Sequence, residues 1–316
     1  MMYRIGIDLG GTNIKVGIVN ENYEIIEKHS IKTLVERPYH EIIKDMADAI
    51  YYLLEKKNIG LNECLTIGIG SPGTVDAKSG VVLYSNNFGW ENIPLVAELK
   101  KYINLPVFIS NDANCAALGE TVAGAAKGAD NVILLTLGTG VGGGVILSGK
   151  VFEGGHAGGA ELGHTVIVDG GEACTCGRKG CFESYASATA LIRETKAAAL
   201  AHKESLLMEL CEGDIEKING KTPFDAAQMG DETAKEVVGR YIWYLANGIT
   251  NMINIFRPDK VLLSGGVCNQ GEKLTKPLSE IVNRTCFGGE KAFIPPIERA
   301  MLGNDAGIIG AAALGE

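Results

Sequence analysis

The sequence has no apolar run approaching the roughly 20 residues that span a membrane, and no signal-type apolar stretch at its amino terminus. A soluble, cytoplasmic protein with no membrane partner is the expectation. Positive charge is also in short supply: 29 Lys and Arg stand against 38 Asp and Glu, a formal net charge of −9. Nucleic-acid binders draw most of their affinity from clustered cations, so no nucleic acid is expected as a partner. A disulfide framework is missing too. Of eight cysteines, Cys64, Cys115, Cys211, Cys268 and Cys286 are scattered, mostly among apolar neighbours, as core thiols are.

What is present is the composition of a folded enzyme, with 46% hydrophobic and 21% charged residues. At 316 residues the chain exceeds the usual single core, so two α/β domains with a ligand cleft between them are expected. Residues 3–9, 14–19 and 23–30 alternate apolar and polar and are separated by Gly10-Gly11-Thr12 and Asn20-Glu21-Asn22, which predicts a three-stranded meander. Ile42, Ile43, Met46, Ile50, Leu53 and Leu54 draw one helical stripe across 41–57. Strands at 65–70, 81–83 and 107–110 and a helix near 95–102 complete a first α/β half. The second half opens with a small-residue helix after Asn111-Asp112, then strands at 132–137 and 144–147. It repeats the opening hairpin: Asp8-Leu9-Gly10-Gly11-Thr12 aligns with Thr136-Leu137-Gly138-Thr139-Gly140. A long amphipathic helix over 233–256, ending before Pro258, leads to a strand at 260–264 and Gly265-Gly266-Val267.

Two familiar patterns are rejected. Gly138-Thr139-Gly140-Val141-Gly142-Gly143 has dinucleotide spacing, but a strand follows where a helix must open. Residues 144–150 spell most of a Walker loop, yet Val151 stands where a Mg²⁺-binding hydroxyl is needed. What remains is a pair of Gly-rich hairpin turns whose amides can face phosphate oxygens. Taken singly, each is an ordinary β-turn; their duplication favours a nucleotide triphosphate. Asp8 before the first turn can hold hydrated Mg²⁺, and Lys15 can lie near the phosphates.

The strongest signal is His164, nine residues, Cys174-Thr-Cys176, then Cys181. Three thiolates and one imidazole form a closed tetrahedral set, the ligand set of a structural rather than a catalytic Zn²⁺.

In this motif and others, the chain resembles the ROK family of repressors, open reading frames and kinases over essentially its whole length, and within it the glucose-phosphorylating kinases. The residues carrying the likeness are Asp8-Leu9-Gly10-Gly11-Thr12-Asn13, Ser71-Pro72-Gly73, Asn86-Asn87-Phe88-Gly89-Trp90, Ser110-Asn111-Asp112-Ala113-Asn114, Leu137-Gly138-Thr139-Gly140, Glu161-Leu162-Gly163-His164, the cysteine loop and Ser264-Gly265-Gly266-Val267. The resemblance implies an α/β fold of two ribonuclease-H-like (actin/hexokinase-like) domains flanking a mobile interdomain cleft. The expected division is 1–110, completed by a helix at 304–316, and 111–303 with the zinc loop.

The resemblance also implies site roles. Asp112 is the catalytic base; Gly73, Asn87, Asn111, Asp112, Glu161, His164 and Glu183 bind the sugar. Asp8, Gly10, Gly11, Thr12, Lys15, Gly138, Thr139, Gly140, Gly265 and Gly266 border ATP with its Mg²⁺. Alone, Asn111-Asp112 reads as a helix cap and Glu161 and Glu183 as solvated carboxylates. The implied reaction is ATP-dependent phosphorylation of a hexose, D-glucose to glucose 6-phosphate, by a homodimer or homotetramer. Alternatives are N-acetylmannosamine, N-acetylglucosamine, fructose or allose phosphorylation, or a non-catalytic sugar-binding role. A repressor of the same family needs a helix-turn-helix before the first turn, and seven residues precede Asp8. One departure stands out: Ala160 precedes Glu161 where many relatives carry Gly. His156 is expected to be a loop residue outside the ligand set.

Overall fold

The computed structural model describes residues 2–315. In chain order the elements are β1 (Tyr3–Leu9), β2 (Asn13–Val19), β3 (Ile25–Lys32), α1 (Tyr39–Lys57), β4 (Cys64–Ser71), β5 (Thr74–Asp76), β6 (Val81–Ser85), β7 (Trp90–Ile93), α2 (Leu95–Leu99), β8 (Val107–Asn111) and α3 (Asp112–Val122). There follow β9 (Val132–Leu137), β10 (Val141–Leu147), β11 (Lys150–Val151), α4 (Glu183–Ala186), α5 (Ala188–Ala201), α6 (Leu206–Leu210), α7 (Thr222–Gln228), α8 (Glu232–Phe256), β12 (Lys260–Ser264), α9 (Glu272–Thr285), β13 (Ile297–Arg299) and α10 (Ala306–Ala313). None of the described helices is long and apolar enough to cross a membrane.

Two five-stranded sheets share one topology. The first runs β3-β2-β1-β4-β8 and the second β11-β10-β9-β12-β13, so each has a hairpin followed by strands added on the other side of its first strand. In the first sheet β1 pairs antiparallel with β2 and parallel with β4. The duplicated hairpin read from the sequence is therefore the start of a duplicated sheet. Strand β10 begins at Val141 rather than at the expected Gly144, and Gly143 and Gly144 on it are close-approach positions. A Cβ on Gly144 would stand 2.4 Å from the Ala113 carbonyl oxygen on α3, so a bare backbone is what lets that helix lie there. Both rejected nucleotide motifs run through this strand.

The chain divides into two compact units: Met1–Leu134 with Gly144–Ala160 and Ala300–Glu316, and Leu135–Gly143 with Glu161–Arg299. Helix α3 and residues 144–160, read from the sequence as part of the second half, lie in the first unit. The reason is α10, whose Gly310 meets α3 so closely that an added Cβ would stand 1.7 Å from the Cys115 carbonyl oxygen. The core of the first unit contains the α1 stripe as read, with Ile42, Ile43, Met46 and Leu53 fully buried beside Ile5, Ile7, Ile67 and Ile69 of the sheet. A small sheet, β5-β6-β7, adds to this unit where the sequence reading had one short strand at 81–83.

In the second unit α8 is the long amphipathic helix, buried along Val237, Tyr241, Leu245, Ile249 and Met252. It ends at Arg257 in the left-handed conformation, ahead of Pro258. Gly248 leaves a notch on this helix for Phe182, which is fully buried; a Cβ there would stand 2.4 Å from the ring. Phe182 lies between Cys181 and Glu183, so this contact fixes the end of the cysteine loop.

Candidate functional site

In the first unit, Asp8 and Lys15 face each other across the β1–β2 register, and Lys15 Nζ lies 2.9 Å from Asp8 Oδ2. Both are partly buried. The turn between them closes with Gly10 N–H donating to the Asn13 carbonyl at 3.0 Å. Thr33, fully buried, clamps this turn from just past the end of β3: its Oγ1 donates to the Gly10 carbonyl at 2.6 Å and its N–H to the Thr12 carbonyl at 3.1 Å. A Cβ on Gly11 would lie 3.8 Å from Asn87 Cβ, which brings Asn87 beside the turn. Thr33 was not read from the sequence. No periodicity marks it, because its partner is 23 residues upstream.

Asp112 is the first residue of α3 and Asn111 is its N-cap. The Asn111 Oδ1 accepts from Ala113 N–H at 2.9 Å and Asn114 N–H at 3.3 Å, while its Nδ2 donates to the Gly73 carbonyl at 3.1 Å. The helix-cap reading and the site reading are thus compatible: capping satisfies the orphan N–H groups of the first turn and locks the backbone that carries Asp112. Gly73 has φ 99° and a Cβ there would stand 2.1 Å from the Tyr84 carbonyl oxygen, so only glycine presents its carbonyl to Asn111.

In the second unit the ligand atoms of His164, Cys174, Cys176 and Cys181 all lie within 4.8 Å of one another. His164 Nδ1 is 3.6 Å from Cys174 Sγ, and Cys176 Sγ is 3.6 Å from Cys181 Sγ. Tetrahedral Zn²⁺ with ligands at about 2.0–2.3 Å has ligand–ligand edges of about 3.3–3.8 Å, so the donor set fits with a small inward movement of its widest pair. Burial pushes the Cys181 thiol up to about 12, so a cation must displace its proton. A backbone N–H from Arg178 pulls exposed Cys176 the other way. The loop is built tightly: bridges pair Val166 with Cys181 and Ala173 with Lys179, Tyr241 Oη donates to the Ala186 carbonyl at 2.9 Å, and Ser184 Oγ donates to the Ala173 carbonyl at 3.1 Å. His156 is exposed and outside the set.

Glu183, at the start of α4, joins this loop to the second glycine turn. Its Oε2 accepts from Val141 N–H at 2.9 Å, and its Oε1 lies 3.3 Å from Thr175 Oγ1 and 3.7 Å from Cys174 Sγ. The turn itself closes with Gly138 N–H donating to the Gly140 carbonyl at 3.0 Å, one residue tighter than its counterpart at Gly10, and Thr139 sits at its tip. Gly265 has φ 108° and touches the end of β9, where a Cβ would stand 2.2 Å from the Leu137 carbonyl oxygen; around Gly266 the space is open. Glu161 is exposed and opens the short helical turn that carries His164, whose N–H donates to the Glu161 carbonyl at 3.1 Å.

The structure therefore brings Asp8, Lys15, the first turn and Asn87 together, and Gly73 with Asn111 and Asp112, in the first unit. It brings His164, Cys174, Cys176 and Cys181, which could hold a metal ion, together with Glu183 and the second turn in the second. A family model for "ROK family" matches residues 4–316. The chain belongs to the ROK family. A Thermotoga maritima protein named glucokinase is 40% identical over 313 residues, covering 98% of this chain and 96% of that protein. The structure of a ROK family glucokinase from Streptomyces griseus in complex with glucose and AMPPNP is 35% identical, with TM-score 0.80 and coverage of 99% and 98%. A Bacillus subtilis xylose repressor is 29% identical over 99% of this chain and 76% of its own length. As a ROK chain, the protein has the actin/hexokinase-like two-domain α/β fold.

Proposed function

We propose that the protein is a sugar kinase that transfers the γ-phosphoryl group of ATP, as its Mg²⁺ complex, to D-glucose, giving glucose 6-phosphate and ADP. The observation that carries this reading is Asp112 at the head of α3, on backbone locked by the Asn111 cap and the Gly73 carbonyl. Likeness over nearly the whole chain to proteins named glucokinase supports glucose as acceptor and ATP as donor.

The chemistry assigns Asp112 the proton. As the 6-hydroxyl oxygen of the sugar forms its bond to the γ-phosphorus, the bond from that phosphorus to the β–γ bridging oxygen breaks. The hydroxyl proton passes to the Asp112 carboxylate and ADP leaves. Glu161, His164 and Glu183 hold sugar hydroxyls, since carboxylates accept from adjacent hydroxyls and fix the ring's pose. Asn87, Gly73 and the second N–H of Asn111 Nδ2 add contacts. The amides of Gly11 and Thr12, with Lys15, and those of Thr139 and Gly140 line the phosphates, bordered by Gly10 and Gly138, whose own N–H groups close the two turns. Asp8 would face the Mg²⁺ of the nucleotide, and Gly265 and Gly266 border the adenosine. Zn²⁺ on His164, Cys174, Cys176 and Cys181 would supply a fixed centre that orients His164 and the loop ending at Glu183. A coupled assay of ADP release with glucose, fructose, allose, N-acetylmannosamine and N-acetylglucosamine tests the reading. Glucose is expected to give the highest kcat/KM; no ADP release with any of them overturns it.

A further inference from the structure

Ser110 directly precedes Asn111 and Asp112 on β8, is fully buried, and donates its Oγ–H to Glu153 Oε1 at 2.6 Å. Both residues belong to the first unit. Glu153 follows β11 and begins a loop that closes on itself, Gly159 N–H donating to the Glu153 carbonyl at 3.1 Å. The loop is held on both sides. Phe152 N–H donates to the Val145 carbonyl on β10 at 2.8 Å, and Gly158 lies so near β5 that a Cβ would stand 3.1 Å from Thr74 Cγ2. Thr74 follows Gly73, whose carbonyl accepts from Asn111. One ring of contacts thus runs from Ser110 through Glu153, the 153–159 loop, Thr74 and Gly73 back to Asn111. The fully buried Cys115 on the next turn of α3 senses the same cluster: burial first, then the charges of Asp112, Asp8 and Glu153, push its thiol well above the ordinary value.

We infer that Glu153 is a positioning residue for phosphoryl transfer, acting through Ser110 to hold the end of β8 and therefore the Asp112 carboxylate in place. The inference rests on the reading of Asp112 as the base. Ser110 is fully buried, so the loss of its acceptor leaves a buried hydroxyl unsatisfied and frees the strand end to shift. Displacements of about an ångström can lower turnover by about two orders of magnitude. What matters is an acceptor at this position rather than its charge, because a glutamine Oε1 can receive the same O–H.

Steady-state kinetics and thermal melting of Glu153→Ala, Glu153→Gln, Ser110→Ala and the Ser110→Ala/Glu153→Ala pair test this. The expected result is a loss of kcat of about tenfold or more in Glu153→Ala and Ser110→Ala, with KM for ATP unchanged. Glu153→Gln is expected within about threefold of the starting enzyme, and the pair no worse than either single change. Wild-type kcat in a folded Glu153→Ala, losses that multiply in the pair, or Glu153→Gln as impaired as Glu153→Ala would each overturn the inference. Asp112→Asn in the same series separates the two readings. If it keeps turnover, the base assignment falls; if it is inactive while Glu153→Ala works normally, the positioning role alone falls.

Discussion

The Val141 N–H donates to Glu183 Oε2 at 2.9 Å, so one carboxylate ties the second glycine turn to the cysteine loop. Val141 directly follows Gly140, and Glu183 lies two residues after Cys181. A group read as a sugar ligand is therefore also the brace of the second glycine turn.

Gly140→Ala tests that brace. The added methyl would stand 2.3 Å from Glu183 Oε2 and 3.0 Å from its Cδ, and the atom that must give way is the end of a flexible side chain. The fold is expected to survive while Glu183 swings out, raising KM for both glucose and ATP by about tenfold. Unchanged KM values for both substrates would show that Glu183 does not link the two.

Metal analysis of purified protein is expected to give one Zn²⁺ per chain. Cys176→Ser, at the exposed ligand, is expected to lower zinc content and weaken glucose binding by calorimetry, because His164 and the loop leading to Glu183 lose their anchor. Metal-free protein with full glucose affinity would contradict the site.

Ala160 has φ 64°, a left-handed conformation, immediately before Glu161. The departure from the family's glycine noted in the sequence is thus a strained position. A side chain there costs about 1–2 kcal/mol, whereas glycine adds about 0.5–1 kcal/mol of unfolded-chain entropy. Strain is the larger, so Ala160→Gly is expected to raise stability by about 0.5–1 kcal/mol, read as a higher denaturation midpoint. A lowered midpoint would show that Ala160 is held by packing instead.

The N-cap of α8 gives a pH-dependent test. Burial alone would raise the Asp231 pKa, but N–H groups of Ala234 and Leu206 outweigh it and hold the carboxyl below its usual range. A lowered folded-state pKa contributes stability that is present above the unfolded value and lost as pH falls through the folded one. Asp231→Ala is expected to cost about 1 kcal/mol near neutral pH, and the gap from the native protein to narrow on acidification below about pH 4. A gap independent of pH would remove the ionised cap.

Local spacing made much of this legible. The α1 stripe, the duplicated hairpin and the histidine-cysteine set each lie within a short stretch, where period or ligand spacing is printed in the residues. Asn111 was legible as a cap, and its second partner, the Gly73 carbonyl, was not, because it is 38 residues away. The assignment of α3 to the first unit depended likewise on α10, about 190 residues downstream. The β5-β6-β7 sheet was hidden because its strands are short and interrupted by turn residues. Thr33, Glu153 and Val141 act through one or two long-range hydrogen bonds each, which leave no period and no motif.

The most direct test of the central claim is Asp112→Asn, assayed for ADP release with glucose and for glucose binding by calorimetry. The native protein is expected to release ADP only when sugar is added, and Asp112→Asn to bind glucose with similar affinity while losing turnover by about 10²–10⁴-fold. Near-normal phosphorylation by Asp112→Asn with unchanged glucose affinity would contradict it.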